Sequence, residues 1–136
     1  DAAQHVRANL DALRKELDAV RAEVKRILEP VRGKTMYVYH PAYGYFADRF
    51  GLKQAAVEKE GKTPTLGNIQ AIAQSIAREG VRALFVQPQF STDTAEAIAR
   101  TAGIDVVRLD PLARDYPANL KRMAKQVRAA LSAGEQ

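Results

Sequence analysis

Three side chains that could bind a ligand or a metal each stand directly before a proline. They occur in the pairs His40-Pro41, Gln87-Pro88 and Asp110-Pro111. A residue before proline is biased towards extended backbone, so each pair is typical of the end of a strand. If the three strands share one sheet, an imidazole, an amide and a carboxylate lie on one rim. That set predicts a polar binding site in which the imidazole is the strongest candidate for a transition-metal ligand.

The elements that must position these side chains alternate along the chain from residue 35 onward. Strands are predicted at residues 35–40, 52–58, 82–87 and 105–109, each rich in apolar or β-branched residues. Helices are predicted at 42–49, at 66–79 after Thr65, from Ser91 or Thr92 to about 102, and from near Pro117 to about 131. This order predicts an α/β fold with a parallel four-stranded sheet flanked by helices. In such a sheet, groups that follow the strands gather at one edge, where ligands bind.

A long amphipathic helix is predicted before the sheet, over about residues 1–29, and Pro30 and Gly33 end it. Its apolar residues form a stripe at four-three spacing, made of Val6, Leu10, Leu13, Leu17, Val20, Val24 and Ile27. We therefore divide the chain into a helix over residues 1–33 and an α/β lobe over residues 34–136.

The stripe either packs on the rest of its own protein or forms a coiled-coil seam over residues 6–27. A coiled-coil seam would make the chain a small interaction or regulatory module that dimerises through the helix.

Composition excludes several classes of function. The chain has no cysteine, so thiolate metal sites and disulfides are excluded, and with two histidines it cannot build a three-histidine site alone. Its net charge is +5, but basic and acidic residues alternate along the helices, which disfavours a nucleic-acid partner. No phosphate-binding loop, dinucleotide motif or nucleophile elbow is present, so we do not expect an enzyme. Of the aromatic residues, Tyr43, Tyr45 and Phe46 are expected to pack in the core and cleft rather than to stack on a base.

Three segments carry a family resemblance. They read HPAYGYFADRFGL over residues 40–52, FVQPQFS over 85–91 and LDPLARDYPANL over 109–120. In this order they resemble the C-terminal lobe of the zinc- and manganese-binding (ZnuA/TroA-like) periplasmic solute-binding proteins of ABC importers. The leading helix resembles the backbone helix that links the two lobes of those proteins. The resemblance covers nearly the whole chain, and its first motif is the most specific.

The resemblance implies a metal site in a cleft between two lobes, from which the ion passes to an importer permease. His40 falls on the family's third histidine ligand. An imidazole at this position favours Zn²⁺ over Mn²⁺, because manganese prefers a carboxylate there. Asp110 and Asp115 both lie in the loop that supplies an aspartate ligand in some members. Asp115 is the closer match to that aspartate, but zinc-binding members often use no carboxylate there, so the resemblance leaves open whether either residue binds metal. Gln87 stands where relatives often have a glutamate near the ligands, which suggests a supporting role.

The resemblance also implies that part of the protein is missing. The family's first lobe, with two further histidine ligands, does not occur in this chain, so a fragment is favoured over a naturally short relative. We expect half a metal site that binds zinc weakly when alone. The location implied is periplasmic or otherwise extracytoplasmic, with the signal segment outside this chain.

Overall fold

A computed structural model describes residues 1–133 of the chain. Within these residues, five α-helices and four strands follow one another in the order α1 Ala2–Leu28, β1 Thr35–Val38, α2 Gly44–Arg49, β2 Lys53–Ala56, α3 Leu66–Arg78, β3 Ala83–Val86, α4 Asp93–Ala102, β4 Asp105–Arg108 and α5 Tyr116–Ser132. A 3₁₀ turn at Glu29–Val31 follows α1. The four strands form one parallel sheet in the order β2-β1-β3-β4. The predicted α/β fold is confirmed.

The strands are shorter than the predicted ones, and a proline pair follows the ends of β1, β3 and β4. β1 ends at Val38, β3 at Val86 and β4 at Arg108, each one or two residues before the polar residue of its pair. Proline has no N–H to donate to a ladder, so the strand pairing cannot continue through it. His40, Gln87 and Asp110 therefore lie just beyond the sheet rather than inside it.

The core has two layers, one on each face of the sheet. On one face, the buried residues of α1 and α5 pack against β1 and β3, including Val24, Met36, Val38, Phe85 and Val127. On the other face, α3 and α4 cover the sheet through Ala73, Ile76, Leu84, Val86 and Ile98. Each layer buries the apolar face of its helices, so the sheet is covered on both sides, as a parallel sheet requires.

The apolar stripe of α1 divides into two parts. Its last three residues are buried in the core against α5, with Val20 at 5%, Val24 at 0% and Ile27 at 5% relative exposure. The salt bridge from Lys121 Nζ to Glu23 Oε2 (3.2 Å) flanks this contact. The first part of the stripe is exposed along Val6, Leu10, Leu13 and Leu17, with relative exposures from 66% to 37%. The end of α1 is thus built into the α/β lobe, while its first half extends away from the core. The division at residue 33 stays a prediction.

None of the helices within residues 1–133 combines the length and apolarity that a membrane crossing demands.

Candidate metal site

The carboxyl edge of the sheet carries one polar side chain beyond each strand. In the order of the strands across the sheet these are Glu58 after β2, His40 after β1, Gln87 after β3 and Asp110 after β4. The sequence predicted three of these four and missed Glu58. The available signal was its place two residues after β2, the same distance as His40 from β1, but no proline follows Glu58 to mark it.

Strand register brings His40 and Glu58 together. β1 and β2 pair in parallel with a constant offset, from Thr35 opposite Lys53 to Val38 opposite Ala56. The ladder continues past both strands, since Val57 N donates to Val38 O and Glu58 N donates to Tyr39 O, both at 2.9 Å. The same offset carried two residues further places residue 58 opposite residue 40. The contact between the two side chains therefore follows from the sheet itself.

The imidazole of His40 lies between a carboxylate and an aromatic ring. Its Nδ1 is 2.6 Å from Oε2 of Glu58, and its ring centroid is 5.6 Å from that of Phe90. The Glu58 side chain is largely buried, at 14% exposure, whereas the His40 side chain is 42% exposed. One nitrogen of the imidazole is thus engaged with a carboxylate in a sheltered position, while the ring as a whole reaches solvent.

A cavity of about 300 Å³ lies beside the His40 and Glu58 side chains. Gln87, Tyr39 and Thr94 also line it. The Oε1 atom of Gln87 is buried and accepts no hydrogen bond from the described residues. A buried amide oxygen without a donor is costly, so this atom is suited to accept from a water or a ligand group inside the cavity.

The two aspartates of the last loop are engaged with their own backbone. Asp110 Oδ1 accepts from Leu112 N at 2.9 Å and from the Gln89 amide at 2.5 Å. Asp115 is the N-cap of α5 and accepts from Ala118 N at 3.2 Å. Both carboxylates therefore help to shape the loop that leads from β4 into α5. Whether either binds metal stays a prediction.

Tyr43, in the loop after β1, is hydrogen-bonded to the residue that follows β4. Its side chain is buried, and its hydroxyl donates to Leu109 O at 2.7 Å, next to Asp110. Its backbone N–H donates to Gln54 Oε1 at 2.8 Å. Burial, with a smaller contribution from the charge of Asp110, raises the pKa of the Tyr43 phenol well above its usual value. The phenol is therefore held neutral as a structural hydrogen-bond donor.

The expectation of core packing is wrong for Tyr45, which is 98% exposed, whereas its place in a cleft stays a prediction. Tyr43 is buried, and Phe46 is half-buried against the core. Tyr45 is the second residue of α2, which follows the loop after β1, and its ring is exposed to solvent.

Across residues 1–133, no three of the histidine and acidic side chains come close enough together to enclose a metal ion. The edge supplies one imidazole beside one carboxylate. Zinc normally takes three or four protein ligands in tetrahedral geometry. The arrangement can thus donate part of a metal site, and the remaining ligands must come from elsewhere.

A parallel α/β lobe with a long leading helix and polar groups gathered at its carboxyl edge defines the class as a ligand-binding lobe. A family model described as the periplasmic component A of a zinc-uptake complex (ZnuA) matches residues 1–130. The chain belongs to this family.

Curated relatives support the assignment. The chain is 33% identical over 134 residues to the high-affinity zinc uptake system protein ZnuA of Brucella suis. The aligned region covers 91% of this chain and 40% of that protein. It is 34% identical over 109 residues to the protein of the same name from Paracoccus denitrificans, covering 76% of this chain and 33% of that protein. The chain thus spans less than half the length of these relatives.

Solved structures show the same fold. A crystal structure of ZnuA superposes with a TM-score of 0.86 at 36% identity, covering 93% of this chain and 49% of that one. A zinc-bound deletion mutant of ZnuA gives 0.82 at 35% identity, covering 91% and 48%. The periplasmic zinc-binding protein TroA of Treponema pallidum gives 0.74 at 18% identity, covering 89% and 50%, which supports the fold alone.

Proposed function

We propose that this chain is the C-terminal lobe of a periplasmic protein that captures zinc and delivers it to an ABC importer, with His40 as a metal ligand. The observation that carries the proposal is the position of His40. Its imidazole lies at the carboxyl edge of the sheet, with one nitrogen held by Glu58 at 2.6 Å and the ring partly exposed. A nitrogen engaged by a carboxylate, with the other left for the metal, is the usual arrangement of a zinc-binding histidine.

Zinc is favoured over manganese by the chemistry of the site and by the relatives. Imidazole is a preferred ligand of zinc, whereas manganese prefers oxygen ligands. The relatives in Brucella suis and Paracoccus denitrificans are described as zinc uptake proteins, and one of the solved ZnuA structures contains zinc. These findings concern the relatives and support the same cargo here.

Among the carboxylates of this lobe, Asp110 is the better candidate for a further ligand. It follows β4 on the same edge as His40, whereas Asp115 is exposed and caps α5 with its Oδ1. An N-cap that turned to bind metal would leave backbone donors of the first helical turn unsatisfied. Gln87 has a buried, unpartnered Oε1 in the cavity beside His40, which fits a supporting role for a bound water or a ligand group.

A facing lobe would complete the metal site and cover the apolar residues of the edge. Outside α1, the large exposed hydrophobic side chains of the described chain all follow the carboxyl ends of strands, namely Tyr45, Phe90, Leu112 and Tyr116. Apolar side chains grouped around a polar site are typical of a surface that meets another protein surface. The chain also spans 40% of the Brucella suis relative, which leaves room for such a lobe.

Calorimetric titration with Zn²⁺ tests this proposal. The complete gene product that carries this chain should bind one zinc ion, and His40→Ala should remove that binding. The 136-residue chain alone should bind zinc only weakly, because it offers one imidazole and no closed set of ligands. A complete gene product that ignores zinc would refute the proposed function. One-to-one binding by the 136-residue chain at about micromolar affinity or tighter would show that its ligand set is larger than proposed.

Self-association through α1 stays a prediction with its own test. The exposed first part of the stripe offers Leu13 and Leu17 at 49% and 37% exposure. If these residues form a seam between two copies, sedimentation will show a dimer that the double change of Leu13 and Leu17 to Asp disrupts. A monomer at all accessible concentrations would exclude this mode of association.

A further inference from the structure

We propose that Glu58 is a positioning residue for His40, selecting which imidazole nitrogen is presented to metal. This inference rests on the proposed function in its final step, the binding of zinc, but its structural part can be tested without any metal. Glu58 was not among the residues that the sequence singled out, and it enters only through its 2.6 Å contact with His40 Nδ1.

The hydrogen bond selects a tautomer. An ionised carboxylate can only accept hydrogen bonds, so a bond to Oε2 of Glu58 requires the proton to sit on Nδ1 of His40. In a neutral imidazole the other nitrogen, Nε2, then carries the lone pair. Which nitrogen can bind a metal is set by the hydrogen bond that the other nitrogen makes. Glu58 thus makes Nε2 the metal-binding atom.

The backbone holds Glu58 in place for this role. Its N–H donates to Tyr39 O at 2.9 Å, in continuation of the β1–β2 ladder. Its side chain is 14% exposed, so little water competes for the carboxylate. On the histidine side, the centroid of the Phe90 ring lies 5.6 Å from that of the imidazole at an interplanar angle of 45°, so the imidazole has a neighbour on a second side. The pair is therefore preorganised before any metal arrives.

Direct binding of metal by Glu58 is the competing explanation. It would bring a Glu58 oxygen to the ion bound at Nε2, whereas the carboxylate now faces Nδ1, the other nitrogen of the ring. The largely buried position of the Glu58 side chain against the more exposed imidazole favours a supporting carboxylate behind the histidine. The two explanations differ in what a glutamine at position 58 does, since Gln keeps an acceptor oxygen but loses the charge.

The first experiment reads the tautomer by ¹⁵N-edited NMR of the histidine rings in the metal-free 136-residue chain. The chain has two histidines, so His5 on exposed α1 serves as an internal reference. His40 should carry its proton on Nδ1 in the parent chain and in Glu58→Gln, and should become a mixture of tautomers in Glu58→Ala. Glu60→Gln, the same charge change on an exposed neighbour, should leave the spectrum of His40 unchanged. In the neutral imidazole, a proton on Nε2 instead of Nδ1 in the parent chain, or an unchanged tautomer in a folded Glu58→Ala, overturns the proposal.

The second experiment measures zinc affinity in the complete gene product. Glu58→Ala should weaken binding by about 10–100-fold, the usual effect of removing a carboxylate that supports a metal-binding histidine. Glu58→Gln should weaken it less, and Glu60→Gln should bind as the parent does. If Glu58→Gln and Glu58→Ala both abolish binding as completely as His40→Ala, Glu58 is itself a ligand and the positioning role is wrong. If the parent ignores zinc while His40 keeps its Nδ1 proton, the proposed function fails and the tautomer assignment stands.

Discussion

The two sides of the carboxyl edge share a sequence signature but differ in what their side chains do. On the β1 side, His40 comes before a proline and places its Nδ1 against Glu58 from the neighbouring strand end. On the β4 side, Asp110 also comes before a proline, but its Oδ1 accepts from Leu112 N within its own loop and from the Gln89 amide of the loop after β3. Asp115, further along, caps α5. The histidine contacts a carboxylate from the neighbouring strand end, whereas each aspartate accepts from a backbone N–H of its own loop or helix.

This difference shows why a polar residue at a strand end does not by itself define a ligand. A carboxylate has several acceptor positions and is readily taken up by nearby backbone N–H groups, in turns and helix caps. An imidazole engaged through one nitrogen still has the other for a metal. We therefore expect the β1 side to bind the metal and the β4 side chiefly to build the loop.

Changing His40 to Ala should have the largest effect on metal binding. We expect zinc affinity of the complete gene product to fall by more than about 100-fold, since loss of a ligand should exceed the roughly 10–100-fold effect of losing its supporting carboxylate. Calorimetric titration measures it. His5→Ala is the matched control, because His5 lies on the exposed part of α1. Parent-like affinity in the His40 variant would show that the β1 side is not the metal-binding side.

Changing Tyr43 to Phe should destabilise the connection between the two sides. It removes the buried hydrogen bond from the Tyr43 hydroxyl to Leu109 O, and we expect a loss of about 1–3 kcal/mol in the free energy of unfolding. Urea denaturation followed by circular dichroism gives this number. An unchanged unfolding midpoint would mean that the loop after β4 holds its position without this bond.

The stability difference between the parent chain and Tyr43→Phe should depend on pH. The pKa of the Tyr43 phenol is raised in the folded state, chiefly by burial and also by Asp110. The stabilisation from the neutral phenol is thus fully present below the ordinary tyrosine pKa of about 10 and declines as the pH rises above it, because the unfolded chain then ionises more readily. The stability difference between the parent and Tyr43→Phe should shrink above about pH 10. A difference that stays constant across this range would contradict the assignment.

Changing Asp115 to Ala should have the smallest effect of the three and should not affect metal binding. Loss of the N-cap of α5 should cost about 1 kcal/mol of stability. Asp115→Asn separates the cap from the charge, because Asn caps helices about as well as Asp does. We expect Asp115→Asn to keep parent stability and both variants to keep parent zinc affinity. A fall in affinity in both would place Asp115 among the ligands and remove the contrast between the two sides.

Local patterns were sufficient to predict much of the fold. The alternation of strands and helices predicted the parallel four-stranded sheet, and the pairs His40-Pro41 and Asp110-Pro111 marked strand ends on one edge. These features depend on neighbouring residues: proline removes a donor and restricts the residue before it. For that reason they can be recognised without knowing what the chain packs against.

The stripe of α1 shows what local patterns cannot predict. Spacing alone put Leu13 and Val24 on one face, yet Leu13 is 49% exposed and Val24 is fully buried. The difference comes from α5, which packs against only the last part of α1. A periodic pattern defines a face of a helix, but how much of that face is covered depends on elements distant in the sequence.

The sequence by itself determined that His40 stands at a strand end in a family motif, and that any site in this chain has one imidazole to offer at that edge. The tertiary structure decided which partner that imidazole has. Glu58 lies 18 residues away and meets His40 because β1 and β2 pair in one particular register. Register is set by how the strands pack between their helices, because a slip of one residue would reverse every side chain between the two faces. No local pattern contains that information.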